Sequence, residues 1–349
     1  MNYKMQRVFK STAALTLAGA ALGALASPTA GAQVTAAPYT IRAFATSPAN
    51  TSQPDSIVAW GDSIIVGFQN HVAKDGTDGK SSTIVEFSSH GEVKRTFSVP
   101  GHNDGLRIVG DGKLWALQNE DANPNLVVID LETGQQSPYR FAPTPHGGGY
   151  DDIVVASDGD VYLTASNPNT PGGVNVFPAL VRARLWNGNV LLEPVLYGNA
   201  EATDIATGAT VTLNLTDPDS ITKDLKGNIV FTSQADSELV FVGRVGTSEQ
   251  TVGRLGISAG GAPITIDDTA FAPPAAAYLL VTDVGSGIIY RIDRADFGFE
   301  PGQAYSASDT AGLVGALNLD NGVVTPIVTG LSSARGLQFV KSGHHASSD

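Results

Sequence analysis

From residue 54 onward, short apolar runs alternate with polar positions at a period of two, and the runs come in pairs. The clearest pair is Asn103–Asn119, NDGLRIVGDGKLWALQN, in which an acidic residue opens a short strand, a Gly-containing turn follows, and a second strand closes on an amide. The unit recurs as PDSIVAWGDSIIVGFQN from Pro54, YDDIVVASDGDVYLTASN from Tyr150, PDSITKDLKGNIVFTSQ from Pro218 and DDTAFAPPAAAYLLVTD from Asp267, with ARGLQFV from Ala334 as a truncated copy. Alternation of this kind marks half-buried strands, and helical periodicity is nowhere sustained after the N-terminus.

The opening acids Asp55, Asp104, Asp151, Asp219 and Asp267, with Arg335 in the last copy, are spaced by 49, 47, 68, 48 and 68 residues. Three spacings near 48 make a period, and the two longer ones contain insertions. In the first unit SIVAW, SIIVGF, TIVEFS and VKRTFSV read as four strands separated by Gly, Asp and Ser turns. Four-stranded units at this period predict an all-β chain folded as a β-propeller of six blades, with five or seven left open. One insertion, Glu201 to Thr216, alternates like an added hairpin around Thr207 and Gly208. The other, Ala295 to Gly312, reads as an excursion loop. Closing the ring requires the N-terminal strand YTIRAFAT, Tyr39 to Thr46, to join the last blade.

Blade geometry then dictates where side chains gather. A first strand lines the central channel and the second returns beside it, so the start of one and the end of the other share a face. Asp55, Asp104, Asp151, Asp152, Asp219, Asp267, Asp268 and Arg335 are thereby expected at one channel mouth. Asn70, Asn119, Asn167, Gln234 and Asp283 follow slightly farther out. Converging carboxylates repel unless protons, a cation or Arg335 relieve them. Oxygen donors favour a hard divalent cation, Ca²⁺ first and Mg²⁺ or Mn²⁺ next. The competing explanation is local: an Asp at a strand entry also bonds the amides of its own turn.

Composition narrows the setting. Lys4, Arg7 and Lys10 precede the small apolar run Ser11 to Ala26, and Ala30-Gly31-Ala32 supplies small residues for cleavage after Ala32, with Ala24-Leu25-Ala26 as an earlier alternative. Residues 1–32 thus read as a signal peptide, 33–349 as one propeller domain, and the protein as exported, periplasmic or extracellular. The apolar run is too short for a spanning helix. Cleavage removes three positive charges and no negative ones, taking the net charge from −13 to −16. So acidic a chain repels phosphate backbones and anionic membranes, which argues against nucleic acid as a partner. With no cysteine there are no disulfides, thiolate nucleophiles or Cys metal sites.

The pair Asp104-Gly105-Leu106 and Gly112-Lys113-Leu114-Trp115 resembles the strand pair of the regucalcin and gluconolactonase propellers, a group related to NHL-type repeats. That resemblance implies a six-bladed enzyme hydrolysing sugar lactones, with a divalent metal held by residues that open first strands. Carried onto this chain, it implies Asp104 and Asp219, then Asp55, and more loosely Asp151 and Asp152, as metal ligands. This sequence departs from the family in using Asp throughout and in placing Arg335 at the ring. His102 in GHNDG and His146 in PHGGGYDD precede first strands and are expected on the acid-rich face as proton carriers. The pattern is also similar to the streptogramin lyases, propellers that open a cyclic ester by elimination with His and Mg²⁺.

Other motifs change little. His146-Gly147-Gly148-Gly149 and Gly256-Ile257-Ser258-Ala259-Gly260 imitate serine-hydrolase motifs but lack the strand-to-helix context these need, and the only later histidines are His344 and His345. Asp75-Gly76-Thr77-Asp78-Gly79 reads as a solvated turn. Trp60 and Trp115 read as core and Trp186 as the start of a hairpin turn. The expected function is therefore a metal-dependent hydrolase of lactones or related esters, acting on a small, carbohydrate-like ligand. The alternative from another class is a noncatalytic ligand- or protein-binding propeller.

Overall fold

A computed structural model describes residues 33–342; the signal-peptide reading of residues 1–32 and His344 and His345 lie outside the described residues. The described chain is all-β, its only helical element being the short 3-10 turn Pro171–Gly173. None of its helices is long and apolar enough to cross a membrane.

Four units follow chain order. The first comprises Pro54–Trp60, Ser63–Phe68, Ser81–Ser88 and Val93–Pro100 in antiparallel sequence. The second runs from Asn103–Val109 to Gln136–Phe141, the third from Ile153–Val155 to Asn189–Tyr197, and the fourth from Pro218–Lys223 to Thr251–Gly256. The fifth and sixth interleave. Strand Asp268–Phe271 pairs with Ala304–Ser308, while the intervening hairpin Ala276–Asp283 and Ile288–Arg294 joins the C-terminal strand Ala334–Lys341.

Two expectations change here. Ala276–Asp283 is the second strand of the sixth unit rather than the partner of Asp268–Phe271. The expected excursion loop, Ala295 to Gly312, instead holds Ala304–Ser308, a wholly buried strand of the fifth unit. The physical reason is that strand pairing is nonlocal, so adjacency in the chain does not decide it. Tyr39–Thr46 adds to Ile288–Arg294 and completes a sixth sheet of four strands, not two. The Glu201–Asp204 and Thr210–Thr212 hairpin lies on the outer edge of the fourth unit, paired to Thr251–Gly256.

The first strands neighbour one another in a closed cycle: Pro54–Trp60, Asn103–Val109, Ile153–Val155, Pro218–Lys223, Asp268–Phe271, Ala334–Lys341 and back to Pro54–Trp60. The sheets radiate from this cycle as a β-propeller. Period-two alternation drives the arrangement, because the two faces of each sheet serve different seams. In Ser63–Phe68, Ile65 faces the second unit with Leu106 and Leu114, while Ile64, Val66 and Phe68 face the sixth with Tyr278 and Leu280. Burying a side chain such as Phe68 contributes about 1.5–3 kcal/mol. Six apolar clusters fill the six seams. The seams hold the blades, which leaves the axis free for polar groups.

Candidate functional site: an acidic channel mouth

Local irregularity aims the acids inward. In four first strands the ladder skips two residues, between Pro54 and Ile57, Asn103 and Leu106, Pro218 and Ile221, and opposite Val281 and Asp283. The skipped pairs Asp55-Ser56, Asp104-Gly105, Asp219-Ser220 and Arg335-Gly336 form bulges, which re-aim side chains at a strand end. Crowding at the axis requires glycine at two of them. A Cβ on Gly105 would lie 2.7 Å from the Asp151 carbonyl oxygen, and one on Gly336 2.5 Å from that of Asp55.

Asp55, Asp104, Asp151, Asp219, Asp267 and Arg335 thereby line one cavity of about 240 Å³, together with Gln234. Ten carboxylates and four cationic side chains line it in all, so its field favours a cation.

The ring divides into two halves. On one side, Arg335 bonds Asp55 Oδ2 at 2.8 Å and lies 3.6 Å from Asp267 Oδ1. The Gln69 amide also donates to Asp55, and Gln234 donates to Asp267 at 3.2 Å. Asp55, expected as a metal ligand, is thus committed to protein partners. On the other side Asp104 and Asp151 meet Glu120, with Asp219 beyond. Asp219 also accepts the Ser220 amide at 2.7 Å, the local turn role open to such a residue.

Glu120 was not anticipated. Asn119 takes φ 65°, and this left-handed turn swings the next residue into the mouth. In the other units the position after the strand-closing polar residue is His71, Pro168, Ala235 or Val284, so the one acid in that register was the available signal. Lys74, which no repeat position marks, reaches in from the preceding unit and pairs with Glu120.

Burial sets the proton balance. It opposes charge on Glu120, but the Lys74 ammonium and hydrogen bonds from Asp151 and Asp104 overcome it and hold the pKa at about 2. Asp104 is pushed well above the carboxylate range by burial, then by Glu120 and Asp55. Asp151 is raised by burial and by Asp219 and Asp104, and Asp219 by burial and Asp217. Burial raises Asp267 as well, against the pull of Arg335. Burial likewise lifts Asp217 to about 6 and Asp268 to about 7. Without a cation the cluster must therefore hold protons.

His102 completes this half. Its Nδ1–H donates to the Val72 carbonyl at 2.8 Å, so Nε2 carries the lone pair. That Nε2 lies 3.9 Å from Glu120 Oε1. Ligand atoms of His102, Asp104 and Glu120 all lie within 4.8 Å of one another, and all three residues are buried. His102 Nε2 and Asp104 Oδ2 have no hydrogen-bond partner among the described residues. Orphaned buried acceptors cost free energy unless something fills them. Oxygen donors with one imidazole suit a divalent cation, and these residues fit one.

The remaining expected residues have other roles. His146 does not reach the acids: its Nε2–H donates to the Gly149 carbonyl at 2.8 Å and burial lowers its pKa. Asp152 also lines the cavity but accepts the Ile221 amide at 3.1 Å, tying the third unit to the fourth. Asp268 does the same for Leu337 at 2.7 Å, tying the fifth to the sixth. Neither is positioned beside Glu120. Asn70, Asn119 and Asn167 occupy left-handed turns and bond neighbouring backbone. Asp283 is buried beneath the Ser332 and Ser333 amides, which it accepts. None of these four lines the cavity: the three Asn side chains are spent on backbone at their positive-φ turns, and Asp283 on the Ser332 and Ser333 amides.

No family model matches the chain, and no curated protein matches it. Among solved structures it is similar to a virginiamycin B lyase from Staphylococcus aureus at 13% identity, over 88% of this chain and 91% of that one, with a TM-score of 0.48. A periplasmic gluconolactonase from Pseudomonas aeruginosa gives 14% identity over 83% and 89% with a TM-score of 0.46. A putative gluconolactonase gives 13% over 85% and 83% with a TM-score of 0.47. These are β-propeller proteins, and the likeness is one of fold.

Proposed function

We propose that this chain is an exported, divalent-cation-dependent enzyme that opens lactones or related esters at the channel mouth. What carries the reading is the buried, unpartnered Nε2 of His102 facing Asp104 and Glu120 in a cysteine-free acidic cavity. Asp104, Glu120 and Asp151 would hold the ion, with His102 as its fourth neighbour. Ca²⁺ suits the carboxylates, and direct ligation by His102 would shift preference toward Mn²⁺. When bound, such an ion polarises a carbonyl and lowers the pKa of water. The protein's own contribution is positional. Val72 fixes the His102 tautomer so that the Nε2 lone pair faces the mouth; where the carboxylates alone hold the ion, it is free to accept a proton from a group there. Buried Leu106 and Ile221 supply apolar wall to the cavity.

The Arg335 pairs with Asp55 and Asp267 favour a second reading, in which the ring is self-compensated and the mouth binds a small ligand without chemistry. The same experiment separates the two. EDTA-treated mature protein is titrated calorimetrically with Ca²⁺, Mg²⁺ and Mn²⁺, then assayed for acid release from aldonolactones. Cation binding with lactone opening supports the enzyme. Binding without turnover leaves the noncatalytic reading, and no binding by any of the three ions removes the metal site.

A further inference from the structure

Outside the acidic mouth, a second cleft of about 380 Å³ lies at the seam of the second and third units. There Gln136–Phe141 and Asn189–Tyr197 pair in parallel only at Arg140 with Asn189 and Phe141 with Val190. Beyond Phe141 the chain turns off through Pro143 and Pro145, so the two units part and a wedge opens. Its walls are Pro143, Pro145, Pro178, Val181, Leu191 and Leu192, and no Asp, Glu, Lys or Arg lines it.

Two polar side chains interrupt these walls. Tyr150 stacks on Phe141 with ring centroids 4.9 Å apart, and His146 packs edge-on to Tyr150 at 5.3 Å, which fixes both rings. His146 spends its Nε2–H on Gly149, so Nδ1 is left as a lone-pair acceptor. Neither Nδ1 nor the Tyr150 hydroxyl bonds another group among the described residues, and neither is among the polar atoms sealed from solvent. An apolar, ligand-sized cleft with a few convergent polar atoms is the usual form of a small-molecule site. The absence of charge selects a neutral ligand, since burying an ion here would go uncompensated.

We propose that this cleft binds a neutral small molecule with a flat apolar ring system and one hydroxyl group. The ring lies against the proline and leucine walls, and the hydroxyl donates to His146 Nδ1 and accepts from Tyr150. The site is independent of the cation at the mouth.

The test titrates the mature chain with 2-naphthol and, in parallel, with naphthalene, following probe fluorescence. The expected result is saturable binding of both, with 2-naphthol tighter by about tenfold, the size of one to two hydrogen bonds. Tyr150→Phe should erode that preference. Leu191→Glu, at a rim position 51% exposed and therefore tolerant of change, should weaken both probes about tenfold or more with unchanged melting. Absence of saturable 2-naphthol binding, equal affinity for the two probes, or indifference to Leu191→Glu would each overturn the proposal.

Discussion

His102 Nε2 and Glu120 Oε1 stand 3.9 Å apart at the channel mouth. That is too far for a hydrogen bond, yet both groups are buried and face the same space. With Nδ1 spent on Val72, Nε2 has no other described partner. A cation between them would remove the strain of two facing acceptors.

Glu120→Gln should therefore weaken cation binding by about tenfold or more, because ligand charge tunes affinity at oxygen sites. Asp267→Asn, on the Arg335 side, should leave affinity nearly unchanged. Calorimetric titration of both variants checks this, and equal losses would show that the ring binds as a whole.

Lys74→Met should act in the opposite direction. Lys74 pairs with Glu120 in the acid cluster, so an arriving cation must compete with its ammonium. Removing that charge should tighten cation binding by about tenfold and lower the melting temperature of EDTA-treated protein. Unchanged affinity would mean that Lys74 lies outside the ion's field.

The cation-free protein should lose stability as pH rises. Burial raises the carboxyls of Asp217 to about 6 and Asp268 to about 7, from an ordinary 3.8. Groups raised on folding bind more protons folded than unfolded, so their stabilisation is full below about pH 4 and lost through about pH 6–7. Melting temperature in EDTA should fall from about pH 5 to about pH 8, and Asp268→Asn should flatten that slope. Added cation should restore most stability at the alkaline end. A flat or rising profile in EDTA would contradict the proton balance described for the mouth.

Asp152→Ala should separate structure from binding. It removes the acceptor for the Ile221 amide and the carboxylate 3.8 Å from Arg107. The cost should be about 1–3 kcal/mol in urea unfolding, with cation affinity intact. A large fall in affinity would return Asp152 to the ligand set.

Residue by residue, the repeat was legible and its exceptions were not. Alternation in SIVAW and SIIVGF marks strands wherever they pack, and the acid opening five of the six first strands follows from the repeat's register. Tyr39–Thr46 could be assigned to the last blade because a ring needs closure. Glu120 was hidden because it stands outside the repeated pattern, and Lys74 because it arrives from a neighbouring unit. His102 and His146 look equivalent in sequence, both lying in loops before first strands. Their hydrogen bonds, to Val72 and to Gly149, send one toward the acids and the other toward an apolar cleft.

What the sequence determined by itself was periodicity: side-chain alternation sets strand faces, and a repeated unit sets the propeller and the acid ring. These are local properties, readable a few residues at a time. Only the tertiary structure decided that Ala276–Asp283 skips its chain neighbour to pair with Ala334–Lys341, because sheet pairing brings together segments far apart in the chain. It also decided which acids face one another. Asp104 and Asp55 hold equivalent places in their strands, but Asp55 meets Arg335, 280 residues away, and Asp104 meets Glu120. The difference between a neutralised pair and a cation site lies in which charges the ring places side by side.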